Sequence, residues 1–234
     1  MRLDMESLLP RFAIVDTAKH NDARCAWALC AGLKAGEIVI FDRAYNDWKH
    51  LRELSDRGVF WVGREKKGMV FDLLDKREVS GEVISDEEIM LTNNTHARRV
   101  TAWVEVDGKR RKMTFLTNHL KWSAAIVCEL YKARWQIEVF FKQIKQTLKL
   151  GDFLGHSVNG VRWQVWTALL VYVLLRFISR VSQWTHSFIR LYAITRTSLW
   201  KRMDLLGYWQ QLCGTAGGHF RHLARPEQAY FGGF

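Results

Sequence analysis

Five polar residues in one short stretch have the types and spacing to do chemistry. They are Tyr131, Arg134, Glu138, Lys142 and Lys145, within YKARWQIEVFFKQIKQTLKL at 131–150. At about 100° per residue they share a narrow helical stripe, from about −60° to +20° around Tyr131. Leu130, Ala133, Ile137, Phe140, Ile144 and Leu148 fall opposite, between about 180° and 260°. One face is therefore apolar, and the other is a ladder of a phenol, cations and a single carboxylate. Cations in such a row can grip an oxyanion, and the carboxylate can hold a metal ion or a proton. Plain i,i+4 pairing of Glu138 with Arg134 and Lys142 gives the same pattern, so charge alone leaves both readings open. A second acid, Asp42, ends the apolar run Glu37–Phe41, where a strand would deliver it to a sheet edge.

The elements that must position these groups can be read around them. Arg2–Met5 and residues 12–16 predict a hairpin. Asn21 and Asp22 can cap a helix to about Lys34 that Gly36 ends. Glu37–Phe41 predicts a strand buried on both faces, and Asn46 or Asp47 caps a helix through Arg57 with Gly58 after it. Gly58–Val62 is another buried strand, so strand, helix and strand predict an α/β sheet. Residues 64–118 read as short strands with polar turns, among them the Asp107-Gly108 hairpin signal. From Ser123, an N-cap rather than a nucleophile, one long helix is expected to Leu150 with Gly151 as its stop. A second helix, capped by Asn159, runs to about Ser182, and further helix lies between His186 and Leu212. The eleven Trp residues read mostly as core, Trp103 included, although exposed it could stack on a base.

Charge is unevenly placed. Residues 1–96 hold 14 basic and 17 acidic residues, residues 97–150 hold 12 and 4, and residues 151–234 hold 9 and 3. The net +11 thus lies wholly in the last 138 residues, which suits a polyanionic partner such as nucleic acid. With 48% hydrophobic residues and 2 Pro, disorder is excluded. Cys25, Cys30, Cys128 and Cys213 lack CxxC spacing and read as reduced thiols of a cytosolic protein. MRLDMESLLPRF has charges where a secretion signal needs an apolar stretch. The run Val165–Leu175, between Arg162 and Arg176, reads as a buried helix rather than a membrane span. His219 and His222 lack metal-binding partners.

The spacing Y-x2-R-x3-E-x6-K, made by Tyr131, Arg134, Glu138 and Lys145, resembles the signature of DDE transposases of the insertion-sequence-four type in bacteria. The surrounding LYKARWQIEVFFKQIKQTLKL and the following FLGHS are similar to that family, as is IVIFDRAYNDW, whose Asp42 matches the second catalytic Asp. The likeness covers nearly the whole chain. It implies an α/β fold with a ribonuclease-H-like core at 1–63 and 119–151, a β insertion subdomain at 64–118 and a helical region at 152–234. It further implies a DNA transposase that binds, cleaves and transfers DNA strands by two-metal-ion phosphodiester chemistry.

In that scheme Asp42 and Glu138 are catalytic metal ligands for two Mg²⁺ or Mn²⁺ ions, and Tyr131, Arg134 and Lys145 hold phosphates beside the cut. Lys142, on the same stripe, is a further DNA-contact candidate. The implied partners are double-stranded DNA with terminal inverted repeats, target DNA and a second copy in a synaptic homodimer, in the bacterial cytoplasm and without a membrane. The family's first catalytic Asp belongs on a strand upstream of the residue 2–16 pair. Asp4, Asp16 and Asp22 read as strand, turn or cap residues, so the chain reads as N-terminally truncated, its core lacking the first strand. The alternative is a catalytically inactive DNA-binding remnant, or an inhibitor of an intact transposase.

Overall fold

A computed structural model of the chain describes residues 1–15, 22–106, 108–148, 157–200 and 207. The readings made for Asp16, Asp107, Gly151, Cys213, His219 and His222 lie outside the described residues, as does the Asp22 side chain. The chain divides into two compact units, Met1–Arg2 with Phe12–Trp135, and Leu3–Arg11 with Gln136–Phe234.

Near the N-terminus β1 (Arg2–Leu3) and β2 (Pro10–Phe12) form a two-stranded sheet, so the second strand comes earlier than the 12–16 expected. The turn between them is set by Asp4. Its Oδ1 accepts from the Ser7 N–H and the Ser7 hydroxyl, both at 2.8 Å, and its Oδ2 pairs with Arg11 at 2.8 Å. Those bonds, the Ser7 amide first, hold the Asp4 carboxyl down at about 2. Asp4 is a turn residue, as its sequence position implies.

In the first unit α1 (Asp22–Cys30) stops short of Lys34, and β3 (Ile38–Ile40) follows it. The Asp47 carboxylate accepts from the His50 N–H at 3.0 Å, which starts α2 (Trp48–Asp56). Gly58 ends that helix at φ +71°, where a Cβ would also press on Ala35. Then come β4 (Phe60–Arg64), β5 (Phe71–Lys76), β6 (Val83–Leu91), β7 (His96–Val106) and β8 (Lys109–Thr117). They make one six-stranded sheet in the order β3-β4-β8-β7-β6-β5, in which only β3 and β4 run parallel. Because β3 is an edge strand, Ile38 is exposed and Val39 and Ile40 are half-buried. The expectation of a strand buried on both faces is corrected accordingly.

Each sheet face has its own core. Leu29, Leu51, Leu54, Trp61, Ile89 and Leu116 pack in one cluster, and Val62, Val100, Phe115, Val127 and Tyr131 in the other. The second is closed by α3 (Ala124–Ala133), whose Ser123 cap accepts from the Ile126 N–H at 3.2 Å. Beside it lies a buried ion pair, with Arg98 Nε and Nη2 at 2.7 and 2.5 Å from the two Asp86 oxygens. Arg98 also donates to the Trp122 carbonyl, so no charge there is left unpaired.

The long helix expected at 123–150 is two. At Arg134 the backbone N–H bonds back three residues, to the Tyr131 carbonyl at 3.1 Å, and α4 (Trp135–Thr147) begins beyond it. The tightened turn interrupts the four-residue ladder.

In the second unit α5 (Val158–Val181) and α6 (Phe188–Ser198) follow. Ser157, not Asn159, caps α5, its hydroxyl accepting from the Gly160 N–H at 3.0 Å. Tyr172 stands in the core, edge-on to Phe140 with ring centroids 4.7 Å apart, and its hydroxyl donates to the Leu8 carbonyl at 3.1 Å. Among the described residues only one side of α5 is covered. Ala168, Leu169, Tyr172 and Leu175 are buried, while Trp163, Leu170, Leu174 and Phe177 are exposed. Reading it as a buried helix is therefore wrong for half its surface. Among the described residues it is the one helix long and apolar enough to cross a membrane, judged by length and composition alone. The tryptophans follow suit. Trp61 is fully buried, but Trp27, Trp103, Trp135, Trp163, Trp166 and Trp200 are exposed, so most are not core.

Candidate functional site

The parallel pair β3 and β4 ends where the candidate chemistry begins. Register pairs Ile40 with Val62, so Asp42 and Arg64 leave the two strands side by side at their carboxyl ends. Openings at the carboxyl ends of parallel strands are where α/β sheets place ligands. Asp42 caps a single 3₁₀ turn, Arg43–Tyr45, its Oδ1 accepting from the Arg43 N–H at 2.6 Å. The carboxylate is exposed, as a group that binds something from solution must be.

Tyr131 departs from the helical-stripe expectation. It is buried, with its ring 4.8 Å from that of Phe115, because α3 turns Val127 and Tyr131 together onto the sheet. Its hydroxyl is nonetheless tied to the candidate groups. Burial pushes the phenol pKa up, the Asp42 charge adds to this, and Arg64 and a hydrogen bond from Arg134 oppose it. Asp42, Arg64, Tyr131 and Arg134 are thus gathered in the first unit. Arg134 lies over the rings of Tyr131 and Trp135, 5.6 Å from each centroid, which orients its guanidinium without neutralising it. Arg64 was not singled out from the sequence. Only the β3–β4 register, which sequence periodicity does not contain, sets it beside Asp42.

The rest of the stripe is on α4 in the second unit. Glu138, Lys142 and Lys145 are exposed, and Phe140, Ile144 and Thr147 are buried on the other side. The polar-and-apolar division predicted for this stretch therefore holds along α4. Glu138 sits in the first turn, where a helix N-terminus favours negative charge, and one turn before Lys142.

Among the described residues, no group of three or more His, Cys, Asp and Glu side chains is placed to hold a metal ion. Asp42 and Glu138 offer the hard oxygen donors that Mg²⁺ or Mn²⁺ prefers. Two carboxylates do not fill a two-metal site, so the described residues do not fit that pair of ions on their own.

Trp103 is 42% exposed on β7, with Arg110 over its ring at 5.5 Å. At that exposure it is not a core residue. Ser123 is an N-cap and not a nucleophile.

Comparison with known proteins gives these placements a context. Residues 2–174 match the family model described as the transposase DDE domain. The chain is 31% identical over 214 residues to a Sinorhizobium fredii protein bearing the transposase name y4zB, covering 86% of this chain and 59% of that one. It is 28% identical over 183 residues to a Geobacillus stearothermophilus protein named as the transposase for insertion sequence element IS5377, covering 74% and 47%. With the transposase InsG for IS4 of Escherichia coli the identity is 23% over 192 residues, covering 75% and 42%. The chain spans about half the length of these curated relatives. The matched region contains both Asp42 and the whole residue 131–145 stripe, and the chain belongs to the family of DDE-domain transposases of bacterial insertion sequences.

Proposed function

We propose that this chain acts on DNA as part of a transposase, with Asp42 and Glu138 as two of the acidic metal ligands and Tyr131, Arg134, Lys142 and Lys145 as its phosphate contacts. The observation that carries the reading is the grouping of Asp42 with Tyr131, Arg134 and Arg64 at the carboxyl ends of β3 and β4. The core in this reading is ribonuclease-H-like, built from 1–63 and 119–151, with 64–118 inserted between its second carboxylate and its glutamate.

What the chain's own residues do follows from their chemistry. Arg134, fixed over two rings, presents a planar fork that suits two phosphate oxygens at once. The Tyr131 hydroxyl, a phenol and so protonated at neutral pH, can donate toward an oxyanion, and burial pushes its pKa further up. Lys142 and Lys145 add point charges along an exposed face of α4. No step is routed through a metal, since the described donors do not complete its site.

The exposed cations of α4 also suit a second reading, a DNA-binding protein that does not cut and that competes with an intact copy. One assay separates the two. The 234-residue chain, D42A and E138A are incubated with supercoiled DNA bearing the element's inverted repeats, with Mg²⁺ or Mn²⁺. Metal-dependent nicking that both substitutions abolish supports the first reading. Nicking that survives both removes Asp42 and Glu138 from the chemistry. Salt-sensitive binding without nicking selects the second reading.

A further inference from the structure

The arm formed by β7 and β8 carries a row of cations that the proposed chemistry does not use. Lys109, Arg110, Arg111 and Lys112 are consecutive and all exposed. Register sets Lys109 opposite Val106, Arg110 opposite Glu105, Arg111 opposite Val104 and Lys112 opposite Trp103. On one side β6 pairs in register with β7 as far as Ala102, with one further bond from the Trp103 N–H to the Glu82 carbonyl at 2.9 Å. On the other β4 pairs with β8 as far as Phe115, with one further bond from the Glu65 N–H to the Thr114 carbonyl at 2.9 Å. The outer three rungs, 104–106 with 109–111, therefore extend past the neighbouring strands as a two-stranded arm, with Lys112 at its base and with Val104 and Val106 still packed on the core that α3 closes.

The four cations are not equivalent. Arg110 is engaged, ion-paired with Glu82 and lying over Trp103. The side chains of Lys109, Arg111 and Lys112 have no hydrogen-bond or ion-pair partner among the described residues. Like charges held this close repel one another, a cost that a polyanion relieves. Side chains alternate along a strand that rises about 3.4 Å per residue, so the row lines both faces of the arm. Lys109 and Arg111 therefore share one face with Val104 and Val106, and Lys112 stands on the other with Trp103, so the long side chains reach a phosphate backbone from both sides of the arm rather than in single file.

We infer that this arm is a sequence-independent contact for the phosphate backbone of duplex DNA, made by Lys109, Arg111 and Lys112, with Arg110 held aside by Glu82 and Trp103. The choice of DNA as the polyanion rests on the transposase reading. Each phosphate neutralised releases a condensed counterion, so log affinity falls against log salt with a slope of about −0.9 per contact. Charges on an unpaired strand also deter edge-to-edge pairing, and either sign serves that purpose. The two roles part in experiment.

The wild-type chain, K109Q/R111Q/K112Q and K109E/R111E/K112E are titrated onto two duplexes of unrelated sequence at several salt concentrations, with melting temperature as a fold control. The expected result is a glutamine variant that melts normally and loses roughly 3 from the magnitude of the slope, equally on both duplexes. The glutamate variant should lose at least as much. An unchanged slope in the glutamine variant, with wild-type binding intact, overturns the inference and leaves the transposase reading standing. Aggregation of the glutamine but not the glutamate variant, with that slope unchanged, makes the arm a protected edge. A loss confined to one duplex overturns the sequence independence. If the wild-type chain binds neither duplex, the inference falls and the transposase reading is left to the assay on inverted-repeat DNA.

Discussion

His50 shows how a single side chain can carry a pH dependence. It is 1% exposed, packed against Trp27 and Phe41 at centroid distances of 4.9 and 5.8 Å, and neither ring nitrogen has a hydrogen-bond partner. Burial holds its pKa below the ordinary histidine value, against the smaller pull of Glu53 and Asp47. The folded chain thus takes up a proton less readily than the unfolded chain. The stability this contributes is complete above the unfolded value, about 6.5, and is lost as pH falls below it. Urea midpoints at pH 7.5 and 5.0 should show a loss of stability in acid, and H50F, which leaves no nitrogen to charge, should show a smaller one. An equal loss in both proteins would assign the acid sensitivity elsewhere. Cys30 is as insulated, since burial raises its thiol to about 11, in keeping with a thiol that stays reduced and unreactive.

At the scale of elements, caps and helix breaks decide where the functional groups stand. Sequence pattern offered Asn159 as the start of α5, but Ser157 makes the bond to the Gly160 N–H. Accordingly S157A should cost about 1 kcal/mol in chemical unfolding and N159A close to nothing. The reverse order would return the cap to Asn159. The break at Arg134 matters more for function. A helix continuous from 123 to 150 would keep Tyr131 on the same stripe as Glu138, Lys142 and Lys145. Instead Tyr131 packs into the sheet's core with α3, and the three exposed residues belong to α4. The same logic explains β3, whose apolar run is that of a central strand although it pairs with β4 alone. A run of branched residues reports strand propensity, and the number of neighbours a strand has is fixed by the rest of the chain.

Over the whole molecule, charge and apolar surface are both unevenly distributed. The excess of cations in the last 138 residues includes the β8 row and the exposed face of α4. On α5, Trp163, Leu170 and Phe177 repeat every seven residues and are all exposed, Trp163 at 75%. An apolar stripe of this kind is large for a surface in water. The native chain should therefore enhance the fluorescence of a hydrophobic dye such as ANS, and L170E/F177E should reduce that signal while the far-UV circular dichroism stays unchanged. A wild-type chain dark to ANS would show the stripe to be covered in solution.

Sequence by itself pointed to the family, through a resemblance carried by Tyr131, Arg134, Glu138 and Lys145 at fixed spacing and by Asp42 at the end of its strand. It also determined the main run of elements, because periodicity, caps such as Asp47 and Ser123, and breakers such as Gly58 act within a few residues. Only the tertiary structure decided which of the signature residues are gathered. Tyr131 is buried and Arg64 joins Asp42 because of strand register and helix docking, which depend on contacts between residues far apart in the chain. For the same reason the outer rungs of the β7–β8 hairpin became an arm, with Trp103 exposed and Lys109, Arg111 and Lys112 without partners among the described residues. Local pattern sets what a segment can be, and the distant segments packed against it set which side chains still face water.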